Sequence, residues 1–266
     1  MQPAKIDAQH TDAVDEALDR FGDHESVSRG RVLRWLAQFA DEDVALGVKS
    51  LHHVRYYDAA RIRSMTRKLV RIVRDEFRRT EARRIVFVPV GDVGSSAGVV
   101  ARVLSDLREG PHCRVVSMRG LSELDARTVS VVVLVDVFSG TGKQMTEWWE
   151  VVEPLVRPIG AAVVVGLLVL NGRARGKIQQ FARLLCVDEL LEDADVLSSA
   201  CQDFDTDEKE MLVEYCRKTG SEPEFVRGFG ECGLLVAFKH GCPNNSLPIL
   251  WWESKSWRHL FKRRAI

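Results

Sequence analysis

Asp136 stands three residues before Ser139, and Ser139-Gly140-Thr141-Gly142-Lys143-Gln144 follows directly. The residue types in that stretch point to one chemistry. Two glycines and two hydroxyl side chains let backbone N–H groups converge on an anion, and a helix starting there adds further donors and a favourable dipole. A carboxylate repels phosphate, but it accepts hydrogen bonds from sugar hydroxyls close by. The set therefore predicts a pocket for a phosphorylated sugar. Positioning it requires a strand, and the run Val129–Val135, rich in β-branched residues, reads as a buried parallel strand that feeds the loop and then a helix. Parallel α/β sheets gather their ligands just beyond the carboxyl ends of their strands.

Other motif readings are weaker. A Walker P-loop ending at Gly142-Lys143 would need Gly at 137, which is Val, and Ser or Thr at 144, which is Gln. Gly94-Ser95-Ser96-Ala97-Gly98 matches the Gly-x-Ser-x-Gly nucleophile elbow, with Asp136 and His240 as nominal partners, but too few strands follow for a hydrolase sheet. Cys232, His240 and Cys242 lack a fourth zinc ligand and read as core cysteines beside a turn histidine. The bland alternative for 139–142 is an ordinary strand-to-helix loop.

The 266 residues carry 38 Lys and Arg against 38 Asp and Glu, so no net charge draws the chain toward nucleic acid or membrane. The apolar run Ile159–Leu170 is too short to span a bilayer, Met1–Lys5 shows no signal region, and six cysteines without paired spacing suit a reduced, cytoplasmic protein. Residues 1–80 read as helical. Ile62, Met65, Leu69, Ile72 or Val73, and Phe77 form the clearest stripe, with Asp58 as its N-cap. The opposite face holds Arg67, Arg71, Arg74 and Arg78, with Arg63 and Lys68 nearby. Such a face engages nucleic-acid phosphates or is simply solvated, and the lack of aromatic interleaving favours solvation.

Strands are expected at 84–90, 113–117, 129–135, 161–170 and 184–187, with helices between them. The prediction is an α/β fold: a doubly wound, mainly parallel five-stranded sheet over 81–200, an N-terminal helical region over 1–80 and a C-terminal α+β extension over 201–266. Arg173 and Arg175, after the fourth strand, either fall near the ligand edge or lie on a solvated loop.

The segment Val129–Gln144 resembles the phosphoribosyl-pyrophosphate (PRPP) signature of type I phosphoribosyltransferases: an apolar strand, two adjacent acids, then a short loop ending in Thr-Gly. Asp136 fills the first acidic position and Thr141-Gly142 the Thr-Gly. Val137 replaces the second acid, and Gly140 stands where many members carry a catalytic acid. The resemblance implies that Asp136 holds the ribose hydroxyls during catalysis and that Ser139, Gly140, Thr141, Gly142, Lys143 and Gln144 wrap the 5′-phosphate. It makes Gly91, Asp92, Gly94, Ser95 and Ser96 the pyrophosphate loop, without the basic residue common there, and gives Arg119 the basic role of the hood.

With Trp35-Leu-Ala-Gln-Phe39 and Pro243-Asn-Asn-Ser-Leu-Pro-Ile-Leu-Trp251, the chain from about Val32 to Arg264 is similar to the phosphoribosyltransferase-like subgroup with a C-terminal extension, PRTase-CE. That implies use of PRPP with Mg²⁺, no metal ligand being assignable among the side chains, and transfer of phosphoribosyl to or from a nucleobase. The other reading it implies is a catalytically inactive nucleotide-sensing module, with a protein partner in a bacterial anti-phage defence system. Asn244 and Asn245 either reach a nucleobase or seat the extension by a turn.

Overall fold

The computed structural model describes residues 8–78, 84–91, 96–107 and 113–263. In chain order its elements are α1 (Ala8–Phe21), α2 (Arg29–Leu36), α3 (Val44–His53), β1 (Arg55–Tyr57), α4 (Ala59–Glu76), β2 (Arg84–Pro89), α5 (Ser96–Leu107), β3 (Cys113–Val115), β4 (Val129–Ser139), α6 (Lys143–Val156), β5 (Ala162–Asn171), α7 (Gly172–Gln179), β6 (Arg183–Leu190), α8 (Thr206–Lys218) and β7 (Val236–Phe238). They fold as two compact units, residues 60–190 and residues 1–59 with 191–265. The three-part division expected at 80 and 200 thus resolves into two units. The helical region and the extension share one core, and α4 belongs with the sheet.

In the unit of residues 60–190, five parallel strands lie in the order β3-β2-β4-β5-β6. The chain steps outward from β2 to β3 and returns to β4 on the other side of β2, so the topological switch point falls between β2 and β4. Helices α6 and α7 cover one face of the sheet. There, Val132 and Leu134 of β4 and Val165 and Leu167 of β5 bury against Met145, Val152, Ala174 and Ile178. Each of the Val, Leu, Ile and Met side chains contributes about 1.5–3 kcal/mol on burial. The opposite face receives α4. A Cβ on Gly166 would lie 3.0 Å from Val133 and 3.3 Å from Leu69, so the glycine admits the helix at that contact. Strand β4 continues through Asp136 to Ser139, four residues beyond the expected end, because Phe138 and Ser139 stay in register with Val169 and Leu170.

In the other unit, Trp35 and Leu36 of α2 and Phe39 just after it pack with Tyr215, Trp257 and Phe261. The indoles of Trp35 and Trp257 both donate to the carbonyl of Ile249, at 2.6 and 2.9 Å. Residues 1–80 are not helical throughout. β1 pairs in parallel with β7, Arg55 opposite Val236 and Tyr57 opposite Phe238. Three residues make no periodicity signal, and their partner lies far along the chain.

His24 of this unit is 2% exposed, edge-on to Tyr56 and Phe261. Its Nδ1 accepts from the Ser26 backbone N–H at 3.2 Å and lies 2.9 Å from the Ser26 hydroxyl, while Nε2 is buried without a partner among the described residues. Burial pushes its pKa down to about 4. The folded chain therefore resists a proton that the unfolded chain accepts near pH 6.5. Stability attributable to His24 should be intact above that pH and decline between pH 6.5 and 4, by at most about 3 kcal/mol. Urea titrations of wild type and His24→Gln across that range check this: the two profiles should converge as pH falls, and parallel profiles contradict it. Among the described residues, no helix is long and apolar enough to cross a membrane.

Candidate functional site

The carboxyl ends of β2 and β4 flank the switch point, held side by side by Val90 N–H donating to the Val135 carbonyl at 3.0 Å. β2 is followed by Gly91, whose φ of 113° favours glycine, and Ser96 is the first residue of α5. Asp92, Gly94 and Ser95 of the expected pyrophosphate loop lie outside the described residues.

Asp136 sits inside β4 and is 2% exposed, whereas the sequence places it facing a ligand. Its Oδ1 accepts from the Ser96 hydroxyl at 2.5 Å and from the Val137 amide at 2.6 Å, and the Phe138 amide also donates to the carboxylate. The sequence gives no signal for the Ser96 contact, which joins residues 40 positions apart. Burial outweighs these donors and pushes the Asp136 pKa up to about 7, so the group is poised to exchange a proton near neutrality. Val137 points to the opposite face and is fully buried, so the second acidic position of the signature is filled by core packing. Gly140 brings no side chain to the position of the catalytic acid.

After Ser139, which is 8% exposed, the chain leaves the sheet and α6 begins at Lys143. Gly142 caps the helix in a left-handed conformation, φ 77°. A Cβ there would lie 3.3 Å from both the Ala174 carbonyl oxygen and Lys177 Cβ, so α7 buttresses the loop from behind. α7 is itself fixed by Asn171, a 4% exposed N-cap whose side chain accepts from the Arg173 amide. The sequence shows Asn171-Gly172 opening a helix at a strand end, but not that this helix supports the Gly142 loop, a contact between residues distant in sequence. The Thr141 hydroxyl accepts from the Lys143 amide at 3.4 Å, and Lys143 and Gln144 are exposed, Lys143 lying 3.8 Å from Glu147. The first-turn amides of α6 have no partner within the helix, and they converge at the end of β4 with the helix dipole behind them. Such a turn suits a phosphate dianion.

The other expected residues divide. Arg119 is exposed, at the start of a 3-10 turn, Arg119–Glu123. Arg175 is held by Glu189 at 2.5 and 2.8 Å, an ion pair that occupies it. Asn244 and Asn245 belong to the other unit. Asn245 is 6% exposed, and its amide donates to the Phe229 carbonyl at 2.8 Å, so this side chain is committed to a turn. Cys232 and Cys242 are buried, bonded to nearby backbone carbonyls. Ser96 of the elbow pentapeptide is tied to a carboxylate rather than to an imidazole. A groove lined by Trp149, Val163, Phe181, Arg183 and Leu184 lies at the amino-terminal ends of β5 and β6, away from the switch point.

No group of three or more His, Cys, Asp or Glu among the described residues could hold a metal ion. Among the described residues, Asp136 is the acid at the end of β4, and it is already enclosed by donors. The described side chains therefore do not by themselves make a Mg²⁺ site, and no step is assigned to that ion.

A family model described as PRTase-CE matches residues 32–263. Among solved structures, a hypothetical protein from Neisseria gonorrhoeae with bound ppGpp is similar at 14% identity and a TM-score of 0.38, over 52% of this chain and 84% of that one. Helicobacter pylori xanthine-guanine-hypoxanthine phosphoribosyltransferase is similar at 10% identity and 0.35, over 52% and 84%. Mycobacterium tuberculosis H37Rv orotate phosphoribosyltransferase in complex with PRPP is similar at 18% and 0.31, over 68% and 90%. No curated protein matches the chain.

Proposed function

This chain belongs to the PRTase-CE family, and from that premise we propose that it binds a ribose 5-phosphate group, as PRPP or a nucleotide, in the turn after β4. The observation that carries the reading is the left-handed Gly142 opening α6 against α7, one turn of chain beyond a buried carboxylate at the switch point. The amides of residues 139–144 take the phosphate. Asp136 takes the ribose diol by exchange: a sugar hydroxyl replaces the Ser96 hydroxyl on Oδ1, so the carboxylate keeps its number of donors. Gly91 and Ser96 flank the place for pyrophosphate when PRPP is the ligand.

A second reading, a sensor without catalysis that reports nucleotide to a partner protein in a defence system, is favoured by Val137 in the core and by Gly140. One experiment separates the two. PRPP and nucleoside monophosphates are titrated with Mg²⁺ while melting is followed, and pyrophosphate release is assayed across a panel of bases. Binding should stabilise the chain by about 2.7 kcal/mol at a hundredfold excess over Kd. Release of pyrophosphate makes it a transferase, and stabilisation without release leaves the sensor. No stabilisation by any of these ligands removes both.

A further inference from the structure

The zero net charge of the chain conceals a division. Residues 60–190 contain 21 Lys and Arg against 14 Asp and Glu, and the remaining residues contain 17 against 24. The sheet unit therefore carries a formal charge of +7 and the other unit −7. The excess on the sheet unit has a focus. Helix α4 buries Ile62, Met65, Thr66, Leu69, Val70 and Val73, and it exposes Arg63, Arg67, Lys68, Arg71 and Arg74, with Arg78 just beyond its end. At 3.6 residues per turn, Arg63, Arg67, Arg71 and Arg74 fall within roughly 80° of arc and extend over about 16 Å.

Among the described residues, Arg63, Arg67, Lys68 and Arg71 make no ion pair, and the acids of α4 lie in its last turn, Asp75 paired with Arg78 at the end of the face and Glu76 with Arg183. Arg63, Arg67 and Arg71 are spaced i, i+4, i+8, where like charges destabilise a helix rather than support it. A face built only to be solvated mixes signs at that spacing. This one concentrates a single sign in a line, and α4 holds it rigid by packing its apolar side on the sheet.

We infer that the exposed arginine face of α4 is a binding surface for the phosphate backbone of a nucleic acid. A strand carries about one charge per 3.4 Å, so 16 Å of helix faces roughly five phosphates. Guanidinium forks match phosphate oxygens two at a time, which favours arginine over lysine on such a surface. Recognition is independent of sequence, since the face carries no aromatic side chain to stack on a base. Phe77, the nearest, lies under the Arg183 guanidinium at 6.0 Å.

The test uses the full chain and a labelled mixed-sequence single-stranded RNA, with binding read by anisotropy between 25 and 200 mM salt (values of roughly this range, in which counterion release is measurable). Wild type should give a slope of log K against log salt of about −3, as four phosphate contacts require. R67E/R71E should bind at least tenfold more weakly, with a shallower slope. R127E/R157E, which changes net charge equally at exposed arginines elsewhere on the same unit, should bind as wild type does. If R67E/R71E fails to melt cooperatively, R67Q/R71Q takes its place. Salt-independent binding, no binding, or equal losses in the two double variants would overturn the inference. So would polyglutamate binding the same face more tightly than RNA, which would make the partner an acidic protein.

Discussion

Replacing Asp136 with asparagine should stabilise the ligand-free protein at pH 8 while abolishing its affinity for PRPP and nucleotides. The carboxyl is fully buried, and burial holds its pKa near 7 against 3.8 when free. A raised carboxyl pKa means that the folded state keeps a proton the unfolded state has released. Stability attributable to the group is present below pH 3.8 and is lost as pH rises through 7. The full loss is about 4 kcal/mol, because each tenfold change in proton affinity is worth about 1.4 kcal/mol. Asparagine fills the same space without titrating, and its carbonyl oxygen can still accept from Ser96 or the Val137 amide. Chemical denaturation of both chains should show the advantage of the variant shrinking by about 2–3 kcal/mol between pH 8 and pH 5. A constant difference would mean that the carboxyl does not titrate across this range. A residue whose removal stabilises the fold and destroys binding is retained for function. Full ligand affinity in a properly folded variant would remove Asp136 from the site.

Gly142→Ala should weaken phosphate binding by tenfold or more and destabilise the sheet unit by about 1–2 kcal/mol. Two costs combine. Alanine must adopt a left-handed backbone, at about 1 kcal/mol or somewhat more, and its methyl group meets α7 at 3.3 Å on two sides. The loop can relieve that contact only by moving away from α7, which disperses the amides that hold the phosphate. Gly160 provides the matched comparison. It is also left-handed, φ 65°, but a Cβ there meets nothing within 4 Å, and it lies past the far end of α6. Gly160→Ala should carry the backbone cost alone and leave ligand affinity unchanged. Equal binding losses in both variants would show that the crowding at 142 does not position the loop.

Much of this was legible from the residues. The β-branched runs at 129–135 and 161–170 became the central strands, because a sheet covered on both faces demands continuous apolar sequence. The stripe from Ile62 to Val73 became α4 with its arginines outward. What escaped reading depends on partners distant in sequence. β1 is a strand only because β7 lies beside it, and Asp136 is enclosed because Ser96 reaches it from the start of α5. The unit boundaries at 59/60 and 190/191 follow from which core each helix joins, which composition does not encode. Total charge misled in the same way, for it averaged a basic unit with an acidic one.

The central claim is that the turn after β4 holds the phosphate of a ribose 5-phosphate. Crystals soaked with PRPP or a nucleoside monophosphate test it most directly. The account predicts phosphate density within hydrogen-bonding distance of the amides of residues 139–144, and a ribose hydroxyl on Asp136 in place of Ser96. Phosphate bound elsewhere, or Asp136 still closed by Ser96 with the ligand in place, would contradict it.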